Sequence, residues 1–339
     1  MSITLLWPVT RWPDRHAAEV EAAGADVECV FVDRPGNVTD EQWGQADGII
    51  SSPDPLPSEE MDKIGNCRIF VTPKVGFDNI DLRKWGGQGI PVCNVPDYGT
   101  QDVADHAMGL LLSLMKGISR YDNRMRKAAT PRDHWRAMDQ PLALRLSEAK
   151  VGIVGLGRIG TAMTLRCKAF GMDVTFYDPY KPNGSDLALG IKRTDSLETL
   201  FAGSDIVSLH VPLTDETRNM INADILASAK PGLVLINAAR GEVVDIDALH
   251  DAMKSGQVGG AGLDVLPEEP ANPEKPLIAA WHGNEEWIAD RLLITPHSAF
   301  YTPQSLYDMR TKGIHVALKY LRTGRLENCV NEEFLVNRR

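Results

Sequence analysis

Three ionisable residues stand just beyond three apolar runs late in the chain. Arg240 follows Val234-Leu235-Ile236-Asn237-Ala238-Ala239. Glu269 follows Gly262-Leu263-Asp264-Val265-Leu266-Pro267-Glu268, and His297 follows Leu293-Ile294-Thr295-Pro296. From 240 to 269 is 29 positions and from 269 to 297 is 28, each about one strand-plus-helix unit. If the runs are neighbouring strands of one open sheet, the three side chains share its carboxyl edge, where such sheets bind ligands. A histidine with an ordinary pKa of about 6.5 exchanges a proton near neutrality. A carboxylate beside it favours the charged, donating form and fixes the ring. An arginine grips a carboxylate with two parallel hydrogen bonds and polarises a carbonyl. Together they suit the reduction of a 2-oxo acid by hydride, which leaves an alkoxide in need of a proton.

A hydride donor has its own signature upstream. Val151-Gly152-Ile153-Val154 leads into Gly155-Leu156-Gly157-Arg158-Ile159-Gly160, a G-x-G-x-x-G triplet. A helix-like segment follows, with Ile159, Met163 and Phe170 on one face, and then Val174-Thr175-Phe176-Tyr177-Asp178. Gly155 permits the tight turn, Gly157 lets a pyrophosphate approach the backbone, and Gly160 lets helix pack on strand. The helix start favours an anion. Asp178, 23 positions past Gly155, accepts hydrogen bonds from a ribose diol and repels a 2′-phosphate, which points to NAD rather than NADP; Lys181 stands against that choice. The triplet alone is weak evidence, but strand, glycines, helix, strand and acid in this order are specific.

These residues need elements to position them. Strand-like runs at Ile3–Trp7, Val27–Val32, Gly48–Ser51, Arg68–Val71 and Pro91–Val95 alternate with helix-like runs at Asp14–Ala23, Thr39–Gln45, Ser58–Gly65 and Leu82–Gly87. Such βα repeats imply a parallel sheet covered on both faces. Gln101–Met115 is apolar over most of its surface, so it is expected to be buried, between domains or between subunits. Residues 116–148, with Pro131, Trp135 and Pro141, read as an irregular arm or long connection. A second sheet is expected from strands near 150–154, 173–177, 205–210, 233–237, 259–263 and 292–295. Its helices are expected near 158–170, 196–202, 222–228, 246–255 and 275–281. A last helix from Pro303 to Thr323 carries a stripe of Leu306, Met309, Gly313, Val316, Ala317 and Tyr320, and its simplest partner is the first domain.

Composition bounds the rest. The chain has 339 residues, 43% of them hydrophobic and 24% charged, with a net charge of −10. That length suggests two domains, and the acidity argues against nucleic acid or an anionic membrane surface. The longest apolar stretch, near Ala107–Met115, falls well short of the roughly 20 residues a membrane span needs. The start lacks a basic leader with a long apolar core, so no signal peptide is expected. Five scattered cysteines with no C-x-x-C read as reduced thiols of a cytoplasmic protein. The histidines, His106, His210 and His282 among them, show no metal-ligand spacing, so no metal is expected.

The combined motifs resemble the D-2-hydroxyacid dehydrogenase family. Val151–Gly160, Asn237–Gly241, Gly262–Val265 with Glu269-Pro270, and Thr295–Ala299 carry the resemblance. Val75–Asp81, Asn94-Val95-Pro96 and Val103–His106 carry it too, so that it covers nearly the whole chain. The tail Gly324–Asn331 and the run Phe176–Tyr180 are similar to the branch of the C-terminal-binding-protein corepressors. The resemblance implies a Rossmann-type dinucleotide-binding domain over 100–298. It also implies a discontinuous flavodoxin-like α/β substrate domain over 1–99 and 299–339, and a homodimer. It makes His297 the proton donor, Glu269 its partner and Arg240 the substrate-holding group. Asp264 would bind the nicotinamide amide, Val211, Pro212 and Thr217 the adenine side, and Thr100 would lie near the cofactor. Arg158, Ile159 and Ala238 join the cofactor set with Arg240 and His297. Val75 and Gly76 would offer N–H groups to the substrate carboxylate, with Lys74 either supplying a cation for a second acidic group or facing solvent. Phe300, where the corepressors carry tryptophan, makes a smaller pocket wall. Residues 271–291, with Trp281 and Trp287, read as an insertion that shapes either the pocket or an interface. Glyoxylate, hydroxypyruvate and larger 2-oxo acids all remain as substrates; the alternative is an NAD(H)-gated interaction protein like the corepressors.

Overall fold

The computed structural model describes residues 2–9, 16–51, 56, 58–128, 130, 132, 135 and 140–336. The start of the expected helix at Asp14, and parts of the expected arm including Pro131, lie outside the described residues. The chain divides into two compact units, Met1–Gly99 with Tyr301–Arg339, and Thr100–Phe300.

In unit 1 the strands β1 (Ile3–Trp7), β2 (Val27–Phe31), β3 (Gly48–Ile50), β4 (Ile69–Thr72) and β5 (Val92–Asn94) alternate with helices α1 (Ala17–Ala23), α2 (Asp40–Gln45), α3 (Ser58–Met61) and α4 (Leu82–Gly87). All pairings are parallel, in the order β2-β1-β3-β4-β5. A parallel sheet is covered on both faces, which is why Leu5, Leu6, Ile49, Ile69, Val71 and Val92 are all buried. Alternation sends Leu5, Ile69 and Val71 into one core with α13 (Pro303–Thr323), and Leu6, Ile49 and Val92 into the other. Helix α13 opens on a Thr302–Ser305 capping box and buries Met309, Ile314, Ala317 and Leu321. It lies against α1, β3 and β4, so the last helix does complete the first sheet.

In unit 2 helices α5 (Thr100–Lys116) and α6 (Ile118–Lys127) precede the strands β6 (Lys150–Val154), β7 (Asp173–Tyr177), β8 (Lys192–Arg193), β9 (Ile206–Leu209), β10 (Leu233–Asn237), β11 (Val258–Leu263) and β12 (Leu292–Ile294). The helices between and after them are α7 (Arg158–Ala169), α8 (Ser185–Leu189), α9 (Leu197–Gly203), α10 (Ala223–Ser228), α11 (Ile246–Ser255) and α12 (Pro276–His282). The sheet is parallel throughout, in the order β12-β11-β10-β9-β6-β7-β8. The order reverses between β6 and β9, which makes their carboxyl ends the switch point where such sheets bind dinucleotides.

Helix α5 is buried against α7, β10 and β11 within unit 2. Glycines on β11 allow this, since a Cβ on Gly262 would stand 3.0 Å from Leu110 Cβ. Several expectations need correction. The presumed arm holds α6, a largely polar helix with no buried residue, whose few apolar positions, Ile118, Tyr121 and Met125, went unread among its charges. Phe170 does not continue the buried face of α7. It is the C-cap, 43% exposed, and Cys167 takes its place in the core. Helix α8, five residues, and β8, two residues, are too short to show a periodicity. Residues 271–291 dock on unit 2 itself. Leu277, Ile278 and Ala280 join its core, and Arg291 donates to the carbonyls of Trp287, Val258 and Gly259.

Candidate active site

At the end of β6 the chain turns through Gly155 at φ +86°, a region that disfavours side chains. A Cβ there would sit 2.6 Å from the His210 carbonyl oxygen, so the turn is pressed against the end of β9. A Cβ on Gly160 would lie 2.0 Å from Gly155 O, which fixes the first turn of α7 against the strand. Gly157 differs: nothing stands within 4 Å of where its Cβ would be, and it is exposed, as is Arg158. Ile159 is half-buried. Two tight glycines flanking an open one at a helix start form a cradle that fits a pyrophosphate. Among the described residues the buried Thr100 hydroxyl finds no hydrogen-bond partner, and it adds a polar atom for a ligand to satisfy.

Asp178 ends the next strand as expected, but its carboxylate is already engaged. Leu156 N–H donates to Oδ2 at 2.8 Å and Tyr180 N–H to Oδ1 at 3.0 Å, which ties the acid to the glycine turn. Thr217 closes its own loop, donating to Pro212 O at 2.7 Å and accepting from Thr214 N–H. Val211 stands beside the Gly155 turn, and Tyr180 and Glu216 hydrogen-bond across the two loops.

His297 and Glu269 meet, with Nδ1 to Oε2 at 2.7 Å. The other Glu269 oxygen accepts from Leu266 N–H at 3.0 Å. Burial works to raise the Glu269 carboxyl, but the bonds from His297 and Leu266 N–H outweigh it and hold it below the usual carboxylate range. His297 sits at φ +50° and donates its N–H to Asp264 O at 2.8 Å. A non-glycine residue at positive φ is uncommon and tends to mark functional sites. Phe300 presents its ring edge-on to His297, with centroids 6.4 Å apart.

Arg240 comes close to this pair by a backbone route. Asn237, 1% exposed, donates from Nδ2 to Arg240 O and accepts from Ala239 N–H, stapling the Ala238–Arg240 turn. The next residue, Gly241, presses on the β11 loop so closely that a Cβ would fall 1.9 Å from the Leu266 carbonyl carbon. The Arg240 turn thus abuts the Leu266 backbone that holds Glu269. In this structure the guanidinium donates to Ala239 O at 2.7 Å.

Asp264 was expected to face the cofactor, but the structure also makes it a support for the histidine loop. It is 1% exposed. Oδ1 accepts from Thr295 Oγ1 at 2.6 Å and Ser298 N–H at 2.9 Å, and Oδ2 accepts from Ala299 N–H at 2.9 Å. His106 on α5 lies 2.9 Å from Thr295 Oγ1 and 3.3 Å from Asp264 Oδ1. Burial pushes the Asp264 carboxyl up, but these bonds prevail and bring it to about 2. Asn237, His106, Thr295 and Ser298 were not singled out for these duties. His106 and Thr295 are 189 positions apart, a distance no local spacing spans.

In unit 1, the loop after β4 is held by its neighbour β5. Asn94 Nδ2 donates to Val75 O at 2.7 Å, and Val95 N–H donates to Lys74 O at 3.2 Å. The carbonyls of Lys74 and Val75 are therefore tied inward, and Lys74, Val75 and Gly76 are each half-buried.

Residues 108–299 match the family described as D-isomer specific 2-hydroxyacid dehydrogenase, NAD binding domain. Over 297 residues the chain is 33% identical to a glyoxylate reductase of Korarchaeum cryptofilum, covering 86% of this chain and 85% of that one. The fold is similar to a D-lactate dehydrogenase from Aquifex aeolicus complexed with NAD and lactic acid: TM-score 0.79, 32% identity, 94% and 95% of the two chains covered. It is also similar to an NADPH-dependent glyoxylate/hydroxypyruvate reductase from Sinorhizobium meliloti in complex with NADP and malonate. There the TM-score is 0.82 and the identity 30%, with 100% and 99% of the chains covered.

Proposed function

The chain belongs to the D-isomer specific 2-hydroxyacid dehydrogenase family, and we propose that it is an NAD-dependent reductase of small 2-oxo acids with His297 as proton donor. The observation that carries the reading is the 2.7 Å contact between His297 Nδ1 and Glu269 Oε2 on a loop held at positive φ. A nicotinamide dinucleotide, when bound, supplies or accepts the hydride.

The chain's own residues do the rest. Glu269 occupies Nδ1, so Nε2 is the nitrogen that gives its proton to the substrate oxygen and takes it back in the reverse direction. The carboxylate steadies the imidazolium before transfer and keeps the ring in one orientation afterwards. Arg240 leaves Ala239 O to grip the substrate carboxylate and polarise its carbonyl. The N–H groups of Val75 and Gly76 are assigned to the substrate carboxylate, and Lys74 to a second acidic group where the substrate has one. Gly155, Gly157, Arg158, Ile159 and Gly160 receive the pyrophosphate, and Asp178 the adenosine ribose. Thr100, Val211, Pro212, Thr217, Ala238 and Asp264 complete the cofactor set.

NAD is preferred over NADP because the Asp178 carboxylate stands where a 2′-phosphate would add like charge. The relatives divide on this point, one solved with NAD and one with NADP. Among the described residues no helix is long and apolar enough to cross a membrane. The interaction-protein alternative rests on the similarity of the tail Gly324–Asn331, the run Phe176–Tyr180 and the pocket region to the corepressors. NADH oxidation should be screened against glyoxylate, hydroxypyruvate and larger 2-oxo acids of graded size and charge. Turnover on a small 2-oxo acid is expected; none on any of them, with NADH or NADPH, would overturn the reading.

A further inference from the structure

The tail beyond α13 returns to unit 1 and lies antiparallel along β5. Val330 N–H donates to Val92 O at 2.8 Å, and Asn94 N–H donates to Asn328 O at 3.1 Å. Between these two bonds Cys93 and Cys329 face each other as a bridge pair. Bonds on either side of a pair and none within it define the non-hydrogen-bonded position of an antiparallel ladder, where Cα atoms stand about 4.5 Å apart. Disulfides usually span Cα separations of about 4.4–6.8 Å. The two side chains also share a face. Cys93 belongs to the core under α13 and Cys329 packs against that same core, while their neighbours Val92 and Val330 belong to the opposite one.

We propose that Cys93 and Cys329 are an oxidative coupling site, at which a hydroperoxide converts the two facing thiols to a disulfide that locks the tail onto β5. The two residues differ as the steps require: Cys329 is part-exposed and Cys93 is fully buried. The deprotonated Cys329 sulfur attacks the outer peroxide oxygen. An S–O bond forms, the O–O bond breaks, and the remainder leaves as an alkoxide or hydroxide that takes up the proton Cys329 released, giving an alcohol or water. Cys329 Sγ, which now donates to Asn331 Oδ1 at 3.3 Å, turns about χ1 towards its partner. The Cys93 sulfur then attacks the sulfenic sulfur. The S–S bond forms, the S–O bond breaks, and water leaves with the Cys93 proton. Two electrons pass from the thiols to the peroxide.

The other cysteines are placed elsewhere. Cys29 is on β2, at the far edge of the order β2-β1-β3-β4-β5, four strand spacings or roughly 19 Å from β5. Cys67 lies in the opposite core and donates to Ile69 O. Cys167 is in unit 2, where burial pushes its thiol up to about 12. Asn94, next to Cys93, holds Val75 O, so the link forms one residue from the loop assigned above to substrate. That consequence rests on the proposed function; the coupling itself does not.

The test is peptide mapping of the full chain after hydrogen peroxide, thiol alkylation and digestion without reductant. The expected product joins the Cys93 and Cys329 peptides, lighter by two hydrogens than the separate pair and lost on treatment with dithiothreitol. In Cys329→Ser, whose changed atom lies at a part-exposed position, the linked peptide should vanish and Cys93 should be recovered alkylated. Recovery of both cysteines as separate alkylated or singly oxidised peptides in the wild type would overturn the proposal. So would Cys93 linked to any cysteine other than Cys329. None of these readouts depends on turnover, so a failed activity screen leaves this result standing.

Discussion

His297 occupies the left-handed region of backbone space because its surroundings hold it there. Its N–H is taken by Asp264 O, and the two following N–H groups, from Ser298 and Ala299, are taken by the Asp264 carboxylate. A single buried acid thus anchors three successive backbone donors and leaves the imidazole with Glu269. The linkage has a definite sign. A carboxyl held at about 2 against an ordinary value of about 3.9 stabilises the fold at pH above 4 and loses that contribution as pH falls towards 2. The shift corresponds to about 2–3 kcal/mol. Urea midpoints of the wild type should therefore fall between pH 4 and pH 2 more steeply than those of Asp264→Asn; equal slopes would remove Asp264 as the anchor. Asp178 carries a second prediction at this scale. Asp178→Ala removes the charge opposed to a 2′-phosphate, so the ratio of kcat/KM with NADPH to that with NADH should rise on the order of tenfold, about 1.4 kcal/mol. The same change strips the acceptor from Leu156 N–H, so NADH use should fall as well. A wild type that already prefers NADPH would contradict the ribose argument.

At the scale of elements, β10, β11 and β12 are neighbours in the sheet, and that adjacency turns the sequence spacing of Arg240, Glu269 and His297 into proximity of their loops. Gly241 is the contact between the first two loops. Gly241→Ala drives a methyl into the Leu266 backbone, at a cost of about 1–3 kcal/mol. It should lower both the denaturation midpoint and kcat/KM, and an unchanged kcat/KM would show that Arg240 does not depend on this packing. Most strands were legible because a parallel sheet buried on both faces needs continuous apolar runs, as in Val234-Leu235-Ile236. The fingerprint was legible because its glycines act within six residues of one another. The elements that escaped notice lack such local marks. Helix α6 has no buried residue and β8 is two residues long; the burial of α5 was expected, but the strand it packs on is set by glycines some 150 positions downstream.

Across the whole molecule, the residues proposed to carry the chemistry were marked in the sequence by type and position, whereas most of the contacts that hold them were not. His297 and Glu269 carry strand-end positions and suitable chemistry in plain view. Asn237, Thr295 and His106 do their work through contacts that only the folded sheet brings about. The tail is similar in kind. Its run Asn328-Cys329-Val330 has no strand signal of its own, yet it adds a short antiparallel edge to a sheet otherwise parallel. The central claim remains the proton held at His297, and one comparison tests it: NADH binding and 2-oxo acid turnover measured side by side for the wild type and His297→Asn. The account predicts that the variant binds NADH as the wild type does while turnover drops by about 10²–10⁴. Turnover preserved on every substrate the wild type accepts would contradict it.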